Sequence, residues 1–316
     1  MKALLRRLPQ PVRDILRAVR KRYRSARYRL RERFRPVRIG RAEIEAALRE
    51  GGVGEGDAVF VQAGMASFGT IEGGPQTVIE ALEAVIGPGG LLAMPAFPLT
   101  GPAIEHLREH PVFDARSAPS MMGAISERFR TSPGTLRSVH PTHSVAARGK
   151  GAEEVVAGHE QAETPFGEGT PFVALRERGA KQVFFGAGVR AITMYHSFEV
   201  IREPSFPIDV FWPERIPTTC IGLDGETIEI TTLVHHPRLA PGRIDVSPAV
   251  EAEVKRRLLE GGMRSVALGR GEILSQPLPE MFGTFERMLG DGVTIYDPRI
   301  LEEARAAGAA GAAPRA

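Results

Sequence analysis

One cysteine in the whole chain, Cys220, excludes an internal disulfide and any zinc cluster built on several thiolates, and it suits a reducing compartment. Long apolar runs are missing as well. No window offers the ~18 uninterrupted apolar residues of a membrane-spanning helix, and the start lacks the apolar core of a secretory signal. Zinc-finger spacing is also absent, and outside the basic N-terminal segment no basic and aromatic residues interleave in an RNA-binding pattern, so no specific nucleic-acid partner is expected. What remains is a cytoplasmic globular protein, and the 42% of hydrophobic residues suffice for a buried core.

Charge is distributed unevenly. Residues 1–42 carry sixteen Lys or Arg against two acids, Asp14 and Glu32, a net of +14, whereas the remaining 25 basic and 36 acidic residues give positions 43–316 a net of −11. The basic pI therefore belongs to an arm, and the acidic body suits a cationic or amine-bearing small molecule. Within the arm, Val12, Ile15, Leu16, Val19, Tyr23, Leu30 and Phe34 recur at helical spacing between arginine-rich faces. Such a basic amphipathic helix suits the anionic inner face of a membrane, a partner or second copy of the chain, its own body, a nucleic acid, or a targeting segment that is removed.

From Ile39 onward the pattern is that of an α/β protein. A helix over 43–49, a strand over 57–62, a helix over 75–86 and a strand over 91–94 form a βαβ unit, which implies parallel pairing. Residues 101–118 read as an irregular loop. A helix at 121–130 and strands at 144–147 and 181–185 follow, and a further helix runs from about Thr193 to Arg202. A hairpin is expected across Asp224-Gly225, and helices at 248–260 and 278–289 close the chain. The expected fold is α/β, with a mixed, largely parallel central sheet flanked by helices. Neither a repeat nor a linker interrupts 43–300. One domain is thus expected over 41–305, between the helical arm at 1–40 and an Ala/Gly tail at 306–316 that reads as disordered.

Three constellations carry chemistry. Gly186-Ala187-Gly188 sits between a strand and a helix, where free N–H groups can meet an oxyanion or phosphate, although a plain strand-to-helix turn reads the same way. His196 and Glu199 lie three apart on one helical face, as a general base and its orienting carboxylate must, but spacing alone also permits two ordinary helix residues. His140-Pro141-Thr142-His143-Ser144 cannot be helical, so its histidines lack the metalloprotease arrangement. A metal site would need three of His140, His143, His196, His235 and His236 to meet, and no metal is expected. Ser144 lacks a nucleophile-elbow setting and reads as a hydrogen-bonding residue.

Several separated motifs then occur in a recognisable order: Ser67-Phe68-Gly69, Gly73-Gly74-Pro75-Gln76-Thr77-Val78, Gly87-Pro88-Gly89-Gly90, Met94-Pro95-Ala96-Phe97, Phe113-Asp114, Met122-Gly123, Arg137 through Ala147, Thr164-Pro165-Phe166-Gly167 and Thr193 through Glu199. Over roughly residues 40–205 the chain resembles the aminoglycoside 3-N-acetyltransferases. The resemblance implies an α/β acetyltransferase fold, acetyl-coenzyme A as donor, and direct transfer to an amine without an acyl-enzyme. It places the base on His196, the motif's acid on Glu199, and donor-binding loops on Ser67, Gly69, Gly73 and Gly74 and on Ser144, Val145, Ala146 and Ala147. Many relatives have His-Ser-Ser where this chain has Gln62-Ala63-Gly64, and an acid where it has Arg190. An arginine there would repel a polycation and meet a phosphate or carboxylate, which makes another amino sugar a rival acceptor. The other reading is a non-catalytic membrane or assembly protein that keeps an acetyltransferase-like body.

Overall fold

The computed structural model describes residues 36–99 and 101–311, together with Val19. The basic helix read over the first 40 residues therefore lies, up to position 35 and apart from Val19, outside the described residues. In chain order the elements are β1 (Arg38–Ile39), α1 (Arg41–Glu50), β2 (Ala58–Ala63), β3 (Thr70–Ile71), α2 (Pro75–Ile86), β4 (Leu91–Pro95), α3 (Ala103–Glu109), β5 (Val112–Asp114), α4 (Ala124–Arg130), β6 (Leu136–Arg137) and β7 (Val145–Gly149). There follow α5 (Ala152–Val156), α6 (Pro171–Glu177), β8 (Lys181–Phe185), α7 (Met194–Ile201), β9 (Ile216–Ile221), β10 (Thr227–Thr232), α8 (Pro248–Glu260), β11 (Arg264–Leu268), β12 (Gly271–Pro277), α9 (Leu278–Gly290) and α10 (Pro298–Gly311). The last helix runs into the segment read as a tail, and 312–316 lie outside the described residues.

Seven strands form the central sheet in the order β11-β12-β8-β2-β4-β7-β6. Only β8–β2 and β2–β4 pair parallel, and the four outer pairings are antiparallel. The expectation of a largely parallel sheet is thus corrected: the βαβ unit β2-α2-β4 is present, but it is a parallel centre with antiparallel flanks. The cause lies in the connections. β11 and β12 are joined by Gly269-Arg270, with Gly269 at φ +56° where a side chain would be strained, and a two-residue link can only return the chain antiparallel. β6 and β7 are likewise joined within the short stretch that holds His140 and His143.

The strand residues alternate between two apolar layers. Val59, Val61, Leu92, Val183 and Phe185 face α1, α2 and α4, while Phe60, Leu91, Phe184 and Leu274 face α6, α7, α8 and α9. Because both faces are covered, the central strands read as continuous apolar runs in the sequence. Emptying one of these positions, for example Phe184→Ala, is worth roughly 3–5 kcal/mol.

Residues 101–118 are not a simple loop. They hold α3 and β5, and β5 pairs parallel with β9 in a second sheet of order β10-β9-β5. The hairpin across Asp224-Gly225 is formed as the sequence suggests. Cys220 is buried in that sheet against Phe113 and Ile230, and burial pushes its thiol up to about 12, which makes it a packing residue. Arg137 ties this excursion to the central sheet. Its buried guanidinium donates to the carbonyls of Ala96, Ala115 and Ala118 and to Ser144 Oγ.

Candidate active site

β8 ends at Phe185 and hands the chain to Gly186, whose φ of +67° turns it sharply. A Cβ at Gly186 would lie 2.4 Å from Phe68 and from Ser67 Oγ and 2.5 Å from the Gly64 carbonyl, so only glycine lets the 64–68 segment close on this turn. Ser67 Oγ donates to the Gly186 carbonyl at 3.1 Å. The Gly186 N–H points to the Glu272 carbonyl at 3.2 Å and is therefore not free for a ligand. The turn leads through a short 3₁₀ segment, Val189–Ala191, into α7.

Gln62, at the end of β2, anchors the start of α7. Its amide donates to Thr193 Oγ1 at 2.8 Å and to the Ala191 carbonyl. This residue stands where the resemblance departs, and it serves to fix the helix that carries His196. In the first turns of α7, His196 Nδ1 lies 2.8 Å from Glu199 Oε2. His235 Nε2 lies 3.1 Å from the same oxygen, and the Tyr296 hydroxyl donates to Glu199 Oε1 at 2.8 Å. The carboxylate is completely buried, whereas the His196 side chain keeps 11% of its surface exposed. One group is thus enclosed and fully hydrogen-bonded, and the other reaches the surface.

Burial works to raise the Glu199 carboxyl, but the adjacent His196 ring and the hydrogen bonds from both histidines outweigh it and hold the group at about 2. His235 goes the other way: burial, reinforced by the neighbouring His196, pushes it down to about 4, so its ring is neutral near pH 7. Burial and the Glu199 charge raise the Tyr296 phenol well above its ordinary value, and it stays a donor. A neutral His235 must carry its proton on Nε2 to meet Glu199, and His196 must likewise carry one on Nδ1. The free lone pair of His196 is then on Nε2. That is the arrangement a general base needs.

Phe166, from the Thr164–Gly167 motif, backs the cluster. Its ring lies 5.1 Å from His196, 5.4 Å from His235 and 4.5 Å from His143. His236 turns away and packs on Trp212, and His140 stacks on His159. Of the five histidines whose meeting would define a metal site, His196 and His235 come together, with Glu199 as a third donor and all ligand atoms within 4.8 Å. His196 Nδ1, His235 Nε2 and both Glu199 oxygens take part in the hydrogen bonds just described.

The residues expected to bind the donor divide into two groups. Ser67 and Gly73 are exposed, Gly74 is half-buried at the start of α2, and Gly69 is buried beside Val37. Ser144, Val145, Ala146 and Ala147 are buried completely. Ser144 Oγ donates to the Ala96 carbonyl, and the next three side chains point alternately into the two core layers. Ala146 shares its core layer with Phe68 and Ile71 of the 67–74 segment. Two surface depressions, of about 500 and 440 Å³, are lined by residues around Gly261 and Thr284 and around Gly87 and Arg148, neither by His196 or Glu199. Tyr296 and Phe166 were not anticipated as site residues, and His235 was weighed only as a metal ligand.

Known proteins resemble the chain in sequence and in fold. A family model described as aminoglycoside 3-N-acetyltransferase matches residues 60–290. Aminoglycoside N(3)-acetyltransferase VII of Streptomyces paromomycinus is 30% identical over 246 residues, 73% of this chain and 83% of that protein. Aminoglycoside N(3)-acetyltransferase III of a Salmonella species is 31% identical over 175 residues, 52% of this chain and 61% of its own length. Among solved structures, AAC-IIIb in a binary complex with CoASH superposes with a TM-score of 0.67 at 26% identity, covering 83% of this chain and all of that one. Aminoglycoside acetyltransferase AAC(3)-Xa shares the fold with a TM-score of 0.69 at 24% identity, over 81% of this chain and 94% of that one. A buried carboxylate that orients a surface-reaching imidazole, on this sheet and with these relatives, assigns the chain to the aminoglycoside 3-N-acetyltransferase family of acetyl-coenzyme A-dependent enzymes.

Proposed function

We propose that this acetyl-coenzyme A-dependent enzyme acetylates an amine of an aminoglycoside or related amino sugar, with His196 as the general base. The single observation that supports this most is the Glu199 carboxylate, which accepts the His196 Nδ1 proton in a hydrogen bond and leaves the lone pair on Nε2 of a side chain that keeps 11% of its surface exposed. As the acceptor nitrogen bonds to the thioester carbonyl carbon, His196 Nε2 takes the amine proton. The C–S bond then breaks, and the proton passes from His196 to the departing thiolate. Glu199 touches neither substrate and acts by orienting and neutralising the imidazolium.

The donor would lie along Ser67, Gly69, Gly73 and Gly74. Gly73 and Gly74 adopt φ of +72° and +67°, and a Cβ at Gly74 would meet nothing within 4 Å, so there is space beside the start of α2, while the Gly74 N–H itself is taken by the Ile71 carbonyl at 3.1 Å. Arg190 is exposed on the turn before α7 and forms no ion pair among the described residues. It favours an acceptor that carries a phosphate or carboxylate beside its amine. The basic segment 1–42, with its net of +14, would hold the enzyme at an anionic membrane.

The test is release of coenzyme A from acetyl-coenzyme A across aminoglycosides and simple or nucleotide-linked amino sugars. His196→Ala is expected to lower kcat about 10²- to 10⁴-fold with little change in donor KM. Near-normal turnover in that variant removes His196 from the mechanism. For the arm, cosedimentation of the full chain with phosphatidylserine vesicles should be lost when Arg13, Arg17, Arg20 and Arg24 are all replaced by Glu. Equal binding by both forms refutes a locating role.

A further inference from the structure

Glu199 is the meeting point of three segments far apart in the chain. His196 reaches it from the same helix, His235 from the link after β10, and Tyr296 from the link before α10. The contact with Glu199 is the only hydrogen bond made by the His235 ring among the described residues. Packing holds that ring in place. It lies 5.1 Å from the Phe211 ring, 5.4 Å from Phe166 and 4.2 Å from His196, and its backbone bridges to Phe211. An apolar side chain would satisfy such a cage equally well. An imidazole with one N–H aimed at a shared carboxylate oxygen indicates a polar task.

We infer that His235 is a positioning residue for acetyl transfer, whose Nε2–H holds the Glu199 carboxylate in the orientation that keeps the His196 Nε2 lone pair directed at the acceptor. This rests on His196 being the base. Oε2 of Glu199 accepts from both rings, so without His235 the carboxylate keeps one hydrogen bond on each oxygen, from His196 and from Tyr296, and loses the third donor that restricts its rotation. A second consequence is electrostatic. A donor withdrawn from Glu199 leaves more of its charge to act on His196, which stabilises the imidazolium and makes the free base available only at higher pH. The other groups that face the cluster are Tyr195 on the same helix, His143 across Phe166, and Arg243 paired with Asp245 at 2.7 Å. All of them remain in a His235 variant, so the change can be read against a constant background.

The experiment compares the wild type with His235→Leu, His235→Gln and His196→Ala, by kcat, both KM values and the pH dependence of kcat/KM. In His235→Leu, kcat should fall about 10- to 30-fold with acetyl-coenzyme A KM within about twofold, and the acid limb should move up by about half a unit or more. Gln presents an amide N–H at nearly the same reach and should recover kcat to within about threefold, with the limb restored. A Leu variant with wild-type kcat and limb overturns the proposal. So does a Gln variant as impaired as Leu with the limb unmoved, since that pattern means packing alone. Turnover retained in His196→Ala defeats the base assignment itself, independently of His235.

Discussion

Two groups of buried histidines sit a few ångströms apart and differ in one respect, the presence of a carboxylate. His196 and His235 share Glu199. His140, His143 and His159 have only neutral partners. His159 Nδ1 accepts from Ser138 at 2.8 Å while its Nε2 donates to the Pro165 carbonyl, and His140 Nε2 meets Thr232 at 3.1 Å while its Nδ1 accepts from the His143 N–H. Burial lowers all three, His159 to about 3. These imidazoles are locked neutral and act as polar rivets between the β6–β7 link, the 159–165 segment and β10. Burial by itself therefore makes a histidine structural. A buried anion beside it is what permits a transient positive charge, and among the described residues Glu199 of α7 is the buried acid.

The sharpest way to break the contrast is to neutralise the anion. Glu199→Gln should lower kcat about 10²-fold or more, with donor KM little changed, because the imidazolium loses its partner while the shape of the site persists. A kcat near that of the wild type would mean that Glu199 only packs. His159→Leu should act on the other group: a loss of about 2–3 kcal/mol in urea unfolding, from a buried serine hydroxyl and a carbonyl left unpaired, with kcat of the folded fraction unchanged. A comparable loss of kcat without loss of stability would place His159 in the mechanism.

Acid should next distinguish the groups without any mutation. The unfolded chain binds protons at histidine below about pH 6.5, whereas folded His159 refuses them until about pH 3. Stability is therefore complete above about pH 6.5 and falls as pH drops through that window, by about 2 kcal/mol at pH 5 from His159 alone. Unfolding midpoints that stay level between pH 8 and pH 5 would contradict the neutral state of the cluster. The smallest effect is expected at Thr232→Val, which removes the hydroxyl partner of His140 and should cost about 1 kcal/mol by the same measurement.

Much of the centre of the molecule was legible because its signals are local. α2 spans Pro75–Ile86 between Gly74 and Gly87, and both boundaries follow from glycines that adopt positive φ. β8 and α8 were bounded as read, and the i, i+3 pair His196–Glu199 was visible as a shared helical face. The antiparallel flanks were not, because pairing direction is set by connections. The Gly269-Arg270 turn lacked the Asn-Gly or Asp-Gly signature that marked Asp224-Gly225. Nor could periodicity place His235 and Tyr296 on Glu199, since each lies in irregular chain after its neighbouring element. Ser144–Ala147 is buried at the edge of and within β7, a placement that the short apolar run made legible as a strand.

The parallel centre also sets the order in which the molecule can assemble. Phe60 in β2 pairs with Gln182 in β8 across 122 residues, whereas β6–β7 and β11–β12 close over short links. Loop-closure entropy makes the local hairpins fast and the β2–β8 docking slow. Since α7 follows β8 directly, the site forms only after that docking, and on the ribosome Glu199 awaits its last donor until Tyr296 has emerged. Nascent chains stalled before residue 296 should thus be compact yet inactive.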